Sequence, residues 1–303
     1  MIVAITGSSG LVGSALVSSL RARGDRVIPI VRRAPLGTEN ALRWEPTTGA
    51  ITPTRFAIAD AVVHLAGESV TAGRWTAARK ARIRDSRVAA TARLAHTLSR
   101  ATPPPRVLVC ASAIGYYANR RDEVLIENSP PGTGFLAQVC REWEAATAPA
   151  TARGIRVVNL RIGLVLSPAG GALAKMLTPF RLGLGGVIGD GAQWMSWIAL
   201  ADLIGAIHHA LATEPLHGPV NAVAPTPVTN AEFTRTLGRV LGRPTTILRV
   251  PAFAARLVFG GEMADELLLT SQRVMPARLQ ASGFTFRHPT LEGALRREIG
   301  RGH

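Results

Sequence analysis

Apolar and polar positions follow a regular order at the start of the chain. An apolar run over Ile2–Ile5 precedes a glycine-rich stretch, and a segment with apolar residues at helical spacing then continues to about Arg23. A second run, rich in β-branched residues, covers Val27–Val31. Buried strands read as short apolar runs, whereas an amphipathic helix repeats its apolar positions about every 3.6 residues. The start of the chain is therefore predicted to form a strand, a turn, a helix and a second strand.

The same alternation continues through the first half of the chain. Apolar runs bounded by turn residues lie at Ala61–Ala66, Val107–Ser112 and Val157–Leu160, and helical patterns lie near Ala77–Arg100 and Phe135–Arg153. Strands that alternate with helices are joined by right-handed crossovers, which place helices on both faces of a parallel sheet. The predicted fold class is therefore α/β, with a doubly wound parallel-sheet Rossmann fold.

The pattern changes after Gly163. A stretch rich in glycine and proline covers Ser167–Gly191, and short helices punctuated by proline dominate from Pro225 onward. A helical segment near Ala201–Ala212 and an apolar run at Val220–Val223 return to the earlier pattern between them. We therefore expect a second, smaller, split C-terminal domain on the substrate side. The predicted division is 1–163 and 198–223 for the dinucleotide-binding domain, and 164–197 and 224–303 for the second domain.

Composition predicts a globular protein. Of the 303 residues, 47% are apolar and 18% are charged, which is enough for a core and too little charge for a disordered chain. No run approaches the ~18 apolar residues of a membrane span, and Met1–Ile5 lacks the basic region of a signal peptide. We therefore expect a cytoplasmic protein without a membrane partner. Cys110 and Cys140 are too few for a disulfide framework or a four-ligand zinc site, so no metal site is predicted.

The net charge of +15 raises the question of nucleic-acid binding, because cationic surfaces attract phosphate. Lys80 and Lys175 are the only lysines, so nearly all the positive charge is arginine scattered through helical patterns. The sequence contains no basic tract with interleaved aromatic residues and no zinc-finger spacing. We therefore expect a solvated cationic surface and no nucleic-acid partner.

The glycine-rich turn predicts a dinucleotide site. Gly7, Gly10 and Gly13 are spaced three residues apart between the first strand and the first helix. In such a turn the first glycine permits a tight bend, the second lets a diphosphate approach the backbone, and the third lets the helix pack against the strand. The predicted cofactor contacts are Thr6, Gly7, Ser8, Ser9, Gly10, Leu11, Val12 and Gly13.

Two arginines at the end of the second strand predict the choice of cofactor. An NAD-binding site usually has a carboxylate here to accept hydrogen bonds from the ribose hydroxyls. This chain has Arg32 and Arg33 instead, which suit a 2′-phosphate group. NADP is therefore the expected cofactor, with NADPH preferred over NADH. The alternative interpretation is that both arginines are solvated surface residues.

Further motifs resemble one known family over essentially the whole chain. The stretch Asp60–Glu68 is similar to the fourth-strand signature of extended short-chain dehydrogenases/reductases. More specific motifs follow in the order and spacing of one subgroup: Gly73-Arg74-Trp75, Ser86-Arg87-Val88, Ser112 to Tyr117, Glu142-Trp143-Glu144, Arg161-Ile162-Gly163, Gly170-Gly171, Ser196-Trp197-Ile198 and Gly283-Phe284. The chain thus resembles the atypical extended members of the NAD-dependent epimerase/dehydratase family that are named epimerase family proteins. These proteins end in a C-terminal domain of unknown function.

The resemblance carries expectations for individual residues. It implies that Leu65, Ala66, Gly67 and Glu68 line the adenine and ribose site. The superfamily transfers a proton with a tyrosine whose pKa is lowered by a lysine four residues later on the same helix. Phe135 and Val139 align with those two positions, and neither Lys80 nor Lys175 is expected to replace the lysine.

The remaining polar residues near the fifth and sixth predicted strands are the candidates for catalysis. Tyr117 is the predicted proton donor and Ser112 its partner hydroxyl; the alternative for Tyr117 is a hydrogen-bonded aromatic residue of a loop. The predicted substrate pocket comprises Tyr116, Arg161, Ser196 and Trp197, although core packing is the alternative for Trp197. For Glu142 and Glu144 the alternative to a site role is a solvated helix face.

The function expected from these residues is that of an NADP(H)-dependent oxidoreductase or epimerase-like enzyme without the usual tyrosine–lysine dyad. Its expected partner is a small-molecule substrate, with nucleotide-linked compounds included. The alternative is a non-catalytic NADP(H)-binding protein that acts as a redox sensor or interaction module. The sequence leaves open whether the chain is a monomer or a homodimer.

Overall fold

Seven parallel strands form the central sheet of the protein. A computed structural model describes residues 1–32, 41–46, 56–245 and 249–300. The strands in chain order are β1 (Ile2–Thr6), β2 (Arg26–Val31), β3 (Leu42–Arg43), β4 (Ala61–His64), β5 (Val107–Ala113), β6 (Val124–Leu125), β7 (Arg156–Ile162), β8 (Leu164–Leu166), β9 (Val187–Ile188), β10 (Trp194–Met195), β11 (Trp197–Ala199), β12 (Gly218–Ala222), β13 (Val228–Thr229), β14 (Arg249–Val250) and β15 (Arg273–Val274).

The helices lie between these strands and after them. In chain order they are α1 (Leu11–Ala22), α2 (Ala77–Asp85), α3 (Val88–Ser99), α4 (Phe135–Ala145), α5 (Ala148–Ala152), α6 (Gly171–Arg181), α7 (Leu200–Ala212), α8 (Asn230–Leu241), α9 (Ala252–Phe259), α10 (Gly261–Leu267), α11 (Ala277–Ala281) and α12 (Leu291–Gly300). A short 3₁₀ helix, Ile114–Tyr117, follows β5. Within the described ranges, no helix is both long and apolar enough to cross a membrane.

The strand order in the seven-stranded sheet is β12-β7-β5-β4-β1-β2-β3, and every neighbouring pair is parallel. From β1 the chain builds outward through β2 and β3 on one side, and from β4 it builds outward through β5, β7 and β12 on the other. The α/β Rossmann prediction is thus confirmed. The order reverses between β1 and β4, and ligands of such sheets bind in the crevice at the carboxyl ends of the strands on either side of the reversal.

The faces of the sheet are covered by different helices because successive side chains of a strand point to opposite faces. On one face, Ile5 and Val63 pack with Leu16 of α1 and Leu203 of α7. On the other face, the strand residues adjacent to these two pack with the apolar side of α3 and with part of α4; this cluster contains Ala4, Val62, Leu94, Leu98 and Trp143. Burial on both sides explains why the strands are apolar throughout rather than alternating with polar residues.

Both long helical patterns are divided in the structure. The first forms α2 and α3, and the hydroxyl of Ser86 at the break donates to the carbonyl of Ile83 while it accepts from the N–H of Glu68. The second forms α4 and α5. Pro149 lies in the first turn of α5, where its lack of an N–H interrupts the helical hydrogen-bond ladder. The prediction of continuous helices was wrong at these two places.

A separate apolar cluster lies outside the central sheet. It combines residues from β8, α6, α8 and α12: Leu166, Leu173, Leu177, Phe180, Phe233, Leu237, Leu291 and Leu295, together with Trp197 and Ala199 of β11. Parts of both segments that the sequence assigns to the second domain pack together in this cluster, whereas Leu279 of α11 packs with the residues of the central sheet. The exact division into two domains stays a prediction.

Candidate cofactor crevice and neighbouring polar network

The crevice at the strand-order reversal is bordered by the ends of β1 and β4. Oγ1 of Thr6 accepts from the N–H groups of Leu65 and Ala66 at 3.1 and 3.2 Å, and it lies 2.6 Å from Nδ1 of His64. Burial lowers the pKa of His64 to about 4, so this imidazole is neutral at pH 7. Thr6 itself is buried. Its side chain therefore joins the two strand ends under the crevice.

The three glycines of the turn differ in how much room the fold leaves for a side chain. Gly7 has a φ of +67°, and a Cβ there would lie 2.9 Å from the backbone of Leu65 and Ala66. A Cβ on Gly13 would lie 2.1 Å from the carbonyl oxygen of Gly7. Gly10 is exposed, and a Cβ on it would meet only that same oxygen, at 3.3 Å. The fold thus requires Gly7 and Gly13, whereas a Cβ at position 10 would crowd a single carbonyl oxygen, and the bare backbone there leaves room for the close approach of a ligand.

The first turn of α1 faces the same crevice. Gly10 is its N-cap residue, no side chain caps the turn, and no acidic residue lies in it. The first N–H groups of a helix have no partner within the helix, and together they carry a partial positive charge. This turn therefore suits a phosphate group, and the residues present fit a dinucleotide cofactor.

Other predicted cofactor contacts lie around this turn with different exposure. Ser9 is exposed, Ser8, Leu11 and Val12 are half-buried, and Leu11 lies next to Gly170 at the start of α6. Arg32 is exposed directly after β2. Arg33 lies outside the described residues.

The loop after β4 is held from one side by α2. Gly67 is exposed, and the carboxylate of Glu68 forms an ion pair with the buried Arg79, whose guanidinium also donates to the carbonyl of Ser69. Glu68 also lies 3.9 Å from the guanidinium of Arg82. This carboxylate is therefore engaged by arginines of the chain.

A polar network lies beside the crevice, at the carboxyl ends of β5 and β7. Arg161 of β7 donates from Nε and Nη2 to the two oxygens of Glu144 on α4, each at 2.8 Å. Ser112 of β5 donates to Oε1 of the same carboxylate at 2.8 Å. Burial lowers the pKa of Arg161, but its hydrogen bonds and charge interaction with Glu144 outweigh that effect, and the pKa is raised. Arg161 is thus a permanent cation in a matched buried pair.

Both tyrosines belong to this network. The hydroxyl of Tyr117 donates to Oδ1 of Asn221 at 2.7 Å, with the carbonyl of Ile126 as a second acceptor at 3.0 Å, and it accepts from Nη1 of Arg161 at 2.9 Å. The ring of Tyr116 lies under the guanidinium, with its centroid 3.5 Å from Cζ of Arg161. The structure thus brings Ser112, both tyrosines and Arg161 together.

The geometry argues against Tyr117 as the proton donor. Its side chain is fully buried, and burial raises its pKa to about 12 against the opposing effect of Arg161. A general acid near neutral pH needs a pKa close to the working pH and contact with the substrate. The arrangement corresponds to the alternative interpretation, in which Tyr117 is a hydrogen-bonded aromatic residue that supports a loop.

Two of the expected pocket residues lie in the interior. Ser196 donates to the carbonyl of Gln272 at 2.8 Å and accepts from the N–H of Val274 at 2.9 Å. Trp197 is fully buried, and its indole N–H donates to the carbonyl of Thr226 at 3.0 Å. Ser196 thus joins the segment before β11 to β15, and Trp197 joins β11 to the segment before β13; in both residues the polar side-chain group is engaged within the protein.

The start of α4 is covered by α10. The carboxylate of Glu266 accepts from the N–H groups of Phe135 and Leu136 at 2.8 and 2.7 Å. The ammonium of Lys80 lies 4.8 Å from the centroid of the Phe135 ring and is bonded to Glu262 at 2.6 Å. Lys80 thus reaches the position where the superfamily has its tyrosine, but it contacts a phenyl ring there.

Sequence reasoning gave no site role to three polar residues of this region. Glu127 is buried, and its Oε1 accepts from the N–H groups of Asn221 and Arg278 at 3.0 and 3.1 Å. Asn221 orients Tyr117, and Glu266 caps α4. Each bond joins residues far apart in the chain, so no local pattern indicates it.

Comparisons with known proteins agree with the fold. The model of the NAD dependent epimerase/dehydratase family matches residues 3–222, and the model of a Domain of unknown function (DUF1731) matches residues 250–298. An epimerase family protein from Mycobacterium bovis is 49% identical over 296 residues, which covers 97% of this chain and 96% of the relative.

Two crystal structures of relatives cover nearly the whole chain. The human epimerase family protein SDR39U1 (isoform 2) with NADPH is 35% identical, with a TM-score of 0.92 and 99% of each chain covered. A nucleoside-diphosphate sugar epimerase from Corynebacterium glutamicum is 39% identical, with a TM-score of 0.82; the match covers 99% of this chain and 58% of that one. The chain belongs to the NAD-dependent epimerase/dehydratase family, among the epimerase family proteins that carry a C-terminal DUF1731 domain.

Proposed function

We propose that the protein is an NADP(H)-dependent enzyme of oxidoreductase or epimerase type that acts on a small molecule. The observation that carries this proposal is the uncapped first turn of α1 behind the exposed Gly10. Backbone N–H groups at the positive end of a helix bind phosphate, and a Cβ at position 10 would meet only the carbonyl oxygen of Gly7, at 3.3 Å. The human relative crystallised with NADPH supports the same cofactor here.

The chain supplies three parts of the cofactor site. The first-turn N–H groups of α1 would hold the diphosphate, the missing side chain of Gly10 would let it approach, and Arg32 would pair with the 2′-phosphate. Arg32 suits this task because it is exposed at the carboxyl end of β2. When bound, a nicotinamide cofactor supplies a hydride donor or acceptor.

The site lacks the proton donor that is usual in the superfamily. Phe135 has no exchangeable proton, and the hydroxyl of Tyr117 is sealed in the polar network. The hydroxyl of Ser112 is oriented by Glu144, whose two oxygens are both bound by Arg161. A positioned acid or base contributes about 10²–10⁴-fold to such reactions. We therefore propose slow turnover of generic alcohols and ketones, with activity reserved for a substrate that brings or positions its own proton donor.

Nucleotide-linked sugars are the first substrates to test. The relative from Corynebacterium glutamicum is a nucleoside-diphosphate sugar epimerase, and it shares 39% identity with this chain. A substrate of this kind carries its own hydroxyl groups next to the reacting carbon and a diphosphate for binding energy.

A second candidate function is NADP(H) binding without turnover. The observation that favours it is the apolar character of both dyad positions, since Phe135 is packed against Trp75 and Val139 is buried. A protein of this type would use the cofactor as a bound signal of redox state.

Single-turnover experiments separate the two candidates. NADPH is first titrated by calorimetry, and its complex is then mixed with a panel of carbonyl compounds while absorbance at the nicotinamide band is followed. The complex with NADP+ is mixed separately with nucleotide sugars, and both the absorbance and the stereochemistry of the recovered sugar are measured. Oxidation of NADPH by a carbonyl compound, reduction of NADP+ by a sugar, or a sugar recovered as its epimer supports the enzyme, and no change in any of these supports the binding protein. A protein that binds no NADPH contradicts both.

A further inference from the structure

The half-buried Arg87 differs from the two buried arginines near the crevice, Arg79 and Arg161. Arg79 has the carboxylate of Glu68 and Arg161 has that of Glu144. Arg87 is the N-cap residue of α3, and within the described part of the chain its guanidinium makes one hydrogen bond, from Nη1 to the carbonyl of Ile83 at 3.1 Å. Across the described ranges no carboxylate oxygen lies within 4.0 Å of its nitrogens.

The guanidinium of Arg87 borders the crevice. A Cβ built on the exposed Gly67 would lie 3.3 Å from its Cζ and 3.4 Å from its Nη2. On the other side, Cζ lies 5.2 Å from the centroid of the Trp143 ring on α4. The group is therefore held between the loop after β4 and α4, beside an open stretch of backbone.

The surroundings do not compensate the charge of Arg87. Burial lowers its pKa; the charge of Glu68 opposes this effect, and that of Arg79 adds to it. The half-buried guanidinium of Arg87 has five N–H donors, and even partial removal of a cation from water is unfavourable unless it is paired. Its planar fork matches the oxygens of a carboxylate or phosphate in two parallel bonds.

We propose that Arg87 binds an oxyanion, a carboxylate or phosphate group, in the crevice beside Gly67. The proposal rests on the cofactor crevice proposed above. α1 packs on one face of the sheet and α3 on the other, so a group at Arg87 is distinct from one at the first turn of α1. This separation favours an anionic group of the substrate over the diphosphate of the cofactor.

Calorimetric titrations of Arg87→Gln test the proposal. Two probes are small anions, inorganic phosphate and malonate, and each is added both to the NADPH complex and to the cofactor-free protein. The other two probes, NADPH and adenosine 2′,5′-bisphosphate, are added to the cofactor-free protein only. The control is Arg100→Gln, which removes the same charge from an exposed position directly after α3. Arg87→Lys keeps the charge without the fork and serves if the glutamine variant fails to fold.

A hydrogen bond to a charged group is worth about 1.5–3 kcal/mol, which is roughly 10- to 100-fold in affinity. We expect Arg87→Gln to lower the affinity for phosphate or malonate by that factor and Arg100→Gln to leave this affinity unchanged. If NADPH is weakened instead, the oxyanion is a phosphate of the cofactor: a parallel loss with adenosine 2′,5′-bisphosphate assigns it to the adenosine half, and an unchanged affinity for that probe assigns it to the phosphate on the nicotinamide side. Two results would overturn the proposal. In the first, Arg87→Gln binds every probe with wild-type affinity. In the second, the wild type binds neither phosphate nor malonate, and Arg87→Gln binds NADPH as the wild type does. If the wild type binds phosphate or malonate at Arg87 but does not bind NADPH, the proposed function is refuted and the proposal for Arg87 stands.

Discussion

Two polar regions lie side by side at the carboxyl end of the sheet, and they differ in how completely their hydrogen-bonding groups are used. In the crevice between β1 and β4, the first turn of α1 has no side-chain cap and Gly10 leaves the backbone uncovered. Between β5 and β7, Ser112, Tyr117, Glu144 and Arg161 bond to one another. Since buried polar groups without partners are costly, open donors indicate binding, whereas a closed network indicates stability.

The largest expected effect is on the closed network. Arg161→Gln removes the partner of Glu144 and leaves a carboxylate that is only 12% exposed without its cation. Breaking a buried pair in this way costs about 3–5 kcal/mol, and we expect the free energy of unfolding in urea to fall by that amount. The control is Arg296→Gln, whose pair with Glu292 is exposed and worth about 0–1 kcal/mol. Equal losses in the two variants would contradict a special role for the network.

A pH effect is expected from the floor of the crevice. The pKa of His64 is depressed by burial to about 4, so the unfolded chain takes up the proton first as the pH falls. Stability is therefore complete above about pH 6.5 and is lost between there and pH 4, by about 3 kcal/mol. Unfolding in urea at several pH values measures this, and His64→Leu is expected to flatten the slope. The same slope in both proteins would assign it to other groups.

The choice of cofactor tests the open region. Arg32→Ala removes a charge-assisted contact worth about 1.5–3 kcal/mol, so the preference for NADPH over NADH is expected to fall about 10- to 100-fold. Arg26→Ala is the matched control, because Arg26 is equally exposed at the amino end of the same strand. Calorimetry with both cofactors gives the ratio, and a ratio that Arg32→Ala does not change would remove this arginine from the site.

The smallest expected effect separates stability from binding within the network. Tyr117→Phe leaves Oδ1 of Asn221 and one bond of Arg161 unsatisfied, at a cost of about 1–3 kcal/mol in unfolding free energy. NADPH affinity is expected to be unchanged. A variant of full stability with impaired turnover of an identified substrate would return Tyr117 to the catalytic residues.

The contrast between the two regions also explains which features of the molecule can be predicted from its sequence. Gly7, Gly10 and Gly13 act through one turn, so their spacing alone predicts the crevice. The apolar runs of β1 and β4 predict the sheet because both faces are buried. The helix breaks are harder to predict, since the one at Ser86 depends on contact with the loop after β4.

The partners in the network could not be predicted from the sequence. Arg161 reaches Glu144 and Tyr117 across 17 and 44 positions of the chain, and Asn221 reaches Tyr117 across 104. Motifs suggested that these residues belong together without indicating that their donors and acceptors are all engaged. The burial of Tyr117 depends on tertiary packing, which the sequence alone does not show. For this reason the sequence predicts Tyr117 as a proton donor although its side chain is buried.

Calorimetric titration of NADPH into Gly10→Val tests the central claim, which is that the open crevice holds the cofactor. A valine side chain would occupy the approach to the backbone while leaving the sheet intact. We expect the wild type and Gly261→Val to bind NADPH alike, because Gly261 is also a glycine at a helix start where a Cβ meets no other atom. Gly10→Val is expected to show no detectable binding and an unchanged far-UV circular dichroism spectrum. Wild-type affinity in Gly10→Val would contradict the account.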